Sequence, residues 1–279
     1  MLLSARRSIL GLMAGAATGF SIQDCRASEP NLPLLYKKLR YRENDGLLFW
    51  WLEGTKFGQI GAEITPLMKM LVGSLVRVRN EADGTFVVNT LEIVFYTDIK
   101  TGEYLRRWTN PYTGQTLSVD HAPLGPNTIR HGMDGMPIRA TQIGGSKITA
   151  RSLVHPLSIA GNDVWIAHDS TASVERDAGK APSFLVNDWS TYFGDLSELN
   201  DTTKPVGTAT VYLQEVTSWS RWMGMEGRPG NQMSRAIGRK VLAYDQMPAA
   251  WRDLMASEHP NIAANPAGAF DIPEAKFDR

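Results

Sequence analysis

Cysteine is almost absent from this 279-residue chain: only Cys25 is present. A single thiol forms no internal disulfide, and this one lies in a stretch read below as removed, which leaves neither disulfides nor thiol chemistry for the rest. Net charge is absent too, with 29 Lys and Arg against 29 Asp and Glu. Taking away residues 1–27 removes Arg6, Arg7, Arg26 and Asp24, leaving 26 basic and 28 acidic residues. Nucleic-acid binding needs a clustered basic surplus, so this balance argues against it. No apolar run reaches the ~20 residues that cross a bilayer as a helix, which argues against a retained membrane span. The sequence holds no Gly-rich phosphate loop between a strand and a helix, no Gly-x-Ser-x-Gly elbow and no His-Glu-x-x-His pair. Nucleotide-dependent enzymes, elbow hydrolases and helix-based zinc proteases are therefore disfavoured. A solenoid repeat is lacking as well.

What is present begins with a targeting segment. Arg6-Arg7 precede a mildly apolar, Gly- and Ala-rich run from Ile9 to Phe20, in the manner of a twin-arginine signal peptide. The expected cleavage follows Ala27, with Ala17 as the alternative. The sequence thus predicts a signal over 1–27 and a single β-rich domain over 28–279. It would meet the twin-arginine export machinery in transit and end in the periplasm or outside the cell.

The domain reads as strand after strand. After a short helix over 34–41, Gly46 to Glu53 alternates Leu47, Phe49, Trp51 and Glu53 with Leu48, Trp50 and Leu52. Apolar residues on both faces describe a strand buried twice, or one whose second face lines a cavity. Further strands are expected over 71–80, 85–97, 147–154, 163–174, 208–216 and 238–244. Asp83-Gly84 marks a hairpin turn between the first two of these. The block from Glu92 to His121 reads as three strands joined by two Thr-Gly turns, with Leu117, Val119 and His121 on one face. Residues 183–199 are ambiguous between helix and strand. Two Trp, two Met and two Arg among the glycines of 219–230 suggest a packed flap or the lip of a pocket. Pro248 opens a helix to about Ser257. The fold class is therefore all-β and mainly antiparallel: a lipocalin-like or related β-barrel with irregular loops and a short C-terminal helix.

Four blocks carry a resemblance: TKFGQIG after Trp50-Trp51, YTDIKTGEYLRRWTNPYTGQTLSVDH, SWSRWMGMEGRPG, and GRK. With them the chain resembles the bacterial and fungal family known as domain of unknown function (DUF) 1838, over nearly all of the mature sequence. The resemblance supports a single domain and implies no catalytic residue.

Candidate chemistry comes from the residues themselves. His121 and His168 each sit on an apolar strand face, where desolvation keeps an imidazole neutral and available as a base. Glu53 beside Trp51 is the candidate carboxylic acid. The alternative for each histidine is a core imidazole satisfied by a backbone carbonyl. Trp50, Trp51, Trp108, Tyr112, Trp219 and Trp222 cluster in the distinctive blocks as candidate walls for a ligand, unless they only fill the core. Arg228 is the candidate partner for an anionic group, with Arg107 as a second choice. A metal site from His121, His131, Asp134, His155 and His168 needs convergence that the spacing does not supply. The leading expectation is a cofactor-independent acid–base enzyme (isomerase, lyase or cyclase class) for a small hydrophobic or aromatic molecule. Its rivals are a non-catalytic carrier and a metal-dependent enzyme built on His121 and His168.

Overall fold

A computed structural model describes residues 31–121, 123–139, 142–143, 146–175 and 183–270. The signal-peptide reading of 1–27 lies outside the described residues. Three long strands open the fold: β1 (Gly46–Ile60), β2 (Glu63–Asn80) and β3 (Phe86–Thr97). A short hairpin follows, β4 (Arg107–Thr109) with β5 (Thr116–Ser118), and then β6 (Leu124–His131) and β7 (Pro137–Arg139). The second half holds β8 (Gln142–Ile143), β9 (Ser146–Val154), β10 (Ser158–Ala160), β11 (Asp163–Glu175), β12 (Phe184–Asp195), β13 (Ala209–Thr217) and β14 (Asn231–Val241).

The main sheet is antiparallel throughout, in the order β7-β6-β3-β2-β1-β14-β13-β12-β11-β9-β8, with β10 added to β11 and β4–β5 standing apart. It curls into a nearly closed barrel-like sheet. The two halves join where β14 runs back along β1, from Phe49 opposite Val241 to Gln59 opposite Asn231. The last strand meets the first, and neither keeps an open edge there to pair with another chain.

The period-two reading of β1 resolves into two different surroundings. Leu48, Trp50 and Leu52 point inward with Val72, Val76 and Val94. Phe49 points outward with Leu75, Leu91, Ile93 and Phe95, and this outer face is covered by α3 (Ala249–Glu258), α4 (Pro260–Ala264) and the turn ending at Phe270. Trp251 of α3 packs against Gly73 of β2 so closely that a Cβ at that glycine would overlap its indole ring. Gly73→Ala is expected to lift α3 and cost about 2 kcal/mol through overpacking, a loss read by chemical denaturation.

One end of the barrel is filled by α1 (Leu32–Arg40), whose Leu35, Tyr36 and Leu39 join the inner core. Asn31 caps it, accepting from Leu34 N–H at 3.2 Å. At its other end the Lys240 ammonium donates to the carbonyls of Lys38, Leu39 and Tyr41 at 2.6, 2.7 and 3.1 Å. The region 183–199, ambiguous in sequence, forms β12 followed by α2 (Leu196–Asn200). The final strand begins at Asn231, seven residues before the expected Gly238, because its pairing with β1 continues to Gln59.

Candidate functional site

Two adjoining, partly open cavities of about 370 and 410 Å³ lie within the barrel-like sheet, both lined by Glu92, Leu124 and Leu213. Each lies within the size range of small-molecule sites. Glu92 occupies the inner face of β3 with Val94 and Tyr96, pairing across with Ser74 of β2, whose hydroxyl donates to its carboxylate at 3.4 Å. The neighbouring pairing with β6 shifts register beside it, Thr90 opposing Asn127 but Glu92 opposing Leu124. An irregularity of this kind bends the strand and re-aims nearby side chains.

The first cavity adds Lys56, Tyr96, Glu215 and Trp222. Lys56 is buried, with its ammonium 3.5 Å from Gln232 Oε1 and 5.7 Å from the centre of the Tyr96 ring. The second adds Arg40, Trp50, Asp188, Ser190 and Tyr192. Four carboxylates thus line the two cavities: Glu92, Asp188, Glu215 and the exposed Asp120. Burial, reinforced by the Glu215 and Asp188 charges, pushes the Glu92 carboxyl up from 4.5 to about 7, against the pull of Lys56 and Ser74. A carboxyl poised there holds its proton half the time at neutral pH and can act as acid or base. Burial likewise raises the Tyr96 phenol, with Lys56 opposing, and pushes Tyr192 up to about 12, with Arg40 opposing.

The residues singled out from sequence fall in different places. Glu53 is exposed on the outer face of β1, opposite Leu71 and Ile237, and does not face the lumen. His121 lies past the end of β5, which stops at Ser118. The expected strand to residue 121 is cut short because its hairpin pairs only from Arg107 to Thr109, the preceding Leu105 turning to bond Tyr96 instead. His121 Nε2 lies 2.8 Å from the Leu105 carbonyl, which can only accept, so that nitrogen carries the hydrogen. Its ring packs 4.5 Å from Tyr104 and 5.7 Å from Tyr96, beside a small polar surface pocket with Arg106, Glu258 and His259. The carbonyl-satisfied imidazole is what the geometry displays. His121→Ala is expected to cost about 1–2 kcal/mol of stability and to leave ligand affinity in the lumen unchanged, as a thermal melt paired with a ligand titration would show.

His168 is buried on β11, its Nδ1 2.6 Å from the Arg40 guanidinium. His131 stacks on Phe86 at 4.4 Å, and His155 pairs with Asp169 at 2.9 Å. Asp134 caps its own turn through Met136 N–H. The five candidate metal ligands therefore stay apart, and among the described residues no group of three or more His, Cys, Asp or Glu is placed to hold a metal ion.

Of the aromatic candidates, Trp50 and Trp222 line the lumen. Trp51 faces outward under the Arg239 guanidinium, 5.5 Å from its ring. Trp108 meets Trp222 edge-on at 5.9 Å, and Tyr112 meets Trp219 at 5.7 Å. These contacts clamp the β4–β5 hairpin to the loop after β13. The clamp rests on Gly58 of β1, where a Cβ would overlap Tyr112 and Trp219. Trp219 and Arg228 line a further pocket of about 370 Å³ along that loop, which shares Phe184, Ser220 and Arg221 with the first cavity, and Arg107 is exposed.

Residues 44–141 and 178–276 match the family described as Protein of unknown function (DUF1838). The chain belongs to the DUF1838 family. No curated protein and no solved structure matches it. All four carboxylates of this DUF1838 lumen lie in the matched segments, as does Lys56. None was singled out from sequence, although signals existed. Glu92 is an isolated charge inside a run of Val, Ile, Phe and Tyr. Continuing the alternation of Leu48, Trp50 and Leu52 through Gly54 places Lys56 on the same inner face.

Proposed function

We propose that this DUF1838 protein is a cofactor-independent acid–base enzyme of the isomerase, lyase or cyclase class, with Glu92 as the group that moves the proton. The substrate is a small hydrophobic or aromatic molecule held in the lumen. One observation carries this reading: Glu92 lines both adjoining cavities, and Asp120, Asp188, Glu215 and the buried Lys56 line one or the other with it. Structural carboxylates favour water or a tight ion pair, whereas this one has a serine hydroxyl and a cavity. The Arg6-Arg7 segment supports export by the twin-arginine route and a periplasmic or secreted location.

The carrier reading uses the same lumen and is favoured by its walls of Trp50, Tyr192 and Trp222. Mass spectrometry of molecules that co-purify with the protein supplies a ligand for the test. The enzyme reading expects that ligand to be converted, and Glu92→Gln to slow conversion by about 10²- to 10⁴-fold with little change in affinity. A ligand recovered unchanged after long incubation with wild-type protein would establish a carrier instead.

A further inference from the structure

We propose that Arg40 is the anchor for a ligand carboxylate, so that the molecule in the lumen is a small aromatic or otherwise apolar carboxylic acid. This rests on the lumen being the ligand site, and it adds the ligand's charged group and the residue that reads it.

Arg40 ends α1 and lines the larger cavity. Its guanidinium is surrounded by tyrosines, with the ring centres of Tyr192 and Tyr41 at 5.1 and 5.2 Å from the central carbon. Nη1 donates to the Tyr36 hydroxyl at 2.7 Å and lies 2.6 Å from His168 Nδ1. A guanidinium has no acceptor, so Nδ1 must accept, and His168 is a neutral imidazole with its hydrogen on Nε2. Those two contacts use both hydrogens of Nη1. Among the described residues the hydrogens on Nε and Nη2 make no hydrogen bond, and Arg40 bonds no carboxylate. That remaining edge is the planar fork that matches a carboxylate with two parallel bonds.

Among the described residues the Arg40 guanidinium is bonded by a phenol and an imidazole and by no carboxylate, whereas enclosed cations ordinarily acquire one at bonding distance. The Tyr192 phenol, pushed up to about 12, stays neutral at physiological pH and supplies none. The charge balance also selects the kind of anion. Asp188, held by Ser190 at 2.6 Å, lines the same cavity and opposes a second negative charge. One guanidinium then suits a monoanion, which disfavours phosphate esters. A phenol would have to ionise from about 10 to serve, and would engage only one arm of the fork. The same cavity is lined by Trp50, Leu52, Val76 and Val211, which suit a ring or hydrocarbon body, alongside the polar Thr90, Asn127 and Thr128.

The test uses wild-type protein and three defined pairs at pH 7: benzoate, cinnamate and 3-phenylpropionate, each beside its primary amide. Affinities come from calorimetry, with tryptophan quenching as the second readout. Each acid is expected to bind about 10- to 100-fold more tightly than its amide, the margin of a charge-assisted pair. Arg40→Gln should bring the acids down to the affinity of the amides. Equal binding of acid and amide by wild-type protein overturns the proposal, and so does failure of all three acids to bind at millimolar concentration. If Arg40→Gln does not fold, the wild-type comparison decides alone. Glu92→Gln should keep the preference for acids. Loss of turnover in Glu92→Gln without any acid preference would leave Glu92 its role and remove that of Arg40. An acid preference with turnover untouched by Glu92→Gln would do the reverse.

Discussion

Glu92→Gln is expected to stabilise the protein by about 3 kcal/mol above pH 7 and to leave it nearly unchanged at pH 4.5 and below. The carboxyl titrates at about 7 in the fold against 4.5 ordinarily. Between those values the folded chain binds a proton that the unfolded chain has released. Stability contributed by the protonated group is therefore complete at low pH and is lost as pH rises through that window. Above it the folded protein carries an ionised carboxylate among apolar walls and two like charges. Glutamine keeps the size and a hydrogen bond to Ser74 without ionising. For a chain of this length the difference amounts to roughly 6–12 °C in Tm at pH 8. Thermal melts of both proteins from pH 4 to 8 provide the check. Parallel curves would mean that Glu92 is solvated and ordinary, which would also deprive the proposed chemistry of its proton carrier.

Lys240→Met is expected to lose about 3 kcal/mol, and with it the seating of α1. The last carbonyls of a helix have no partner within it, and its C-terminal end is partially negative. Here Lys38, Leu39 and Tyr41 find theirs on one buried ammonium. Removing it orphans three acceptors at about 1–3 kcal/mol each, partly offset because no charge then needs to be buried. Burial pushes this amine down to about 7 from 10.5, with Glu198 opposing. The unfolded chain therefore binds the extra proton between those values, wild-type stability from this group rises with pH there, and the deficit of Lys240→Met should widen from pH 7 toward 10. Urea denaturation at pH 6 and 9 reads both effects. Because Arg40 is the last residue of α1, the same substitution should weaken the preference for acids over amides. A variant as stable as wild type would show that the helix is held by its apolar face alone.

Most of the strands were legible because alternation and turn chemistry are local. Asp83-Gly84 closes the β2–β3 hairpin, and Thr208 to Val216 appears as β13 displaced by one residue. Strand length was less legible. β1 runs on to Ile60 through Gly54 and Gly58, which depress strand propensity but are needed where neighbouring groups approach closely. Side-chain surroundings were the least legible. His121 and His168 were expected on apolar strand faces; one bonds a backbone carbonyl and the other an arginine. Among the charged groups that line the lumen, Glu92 and Lys56 sit inside strands whose two faces look alike in sequence.

By itself the sequence determined what depends on near neighbours along the chain. It specified an antiparallel, barrel-like β fold, a helix before the first strand and one after the last, and membership of a recognisable family. Tertiary structure decided which apolar face of each strand became lumen and which became the bed for α3, because both faces are equally hydrophobic until a partner covers one. It also decided that Glu92 faces two other carboxylates and that Arg40 faces a cavity. Those environments are made by β1, β3, β12, β13 and α1, elements far apart in the chain. Burial and neighbouring charge, which set the chemistry of an ionisable group, exist only once those elements meet.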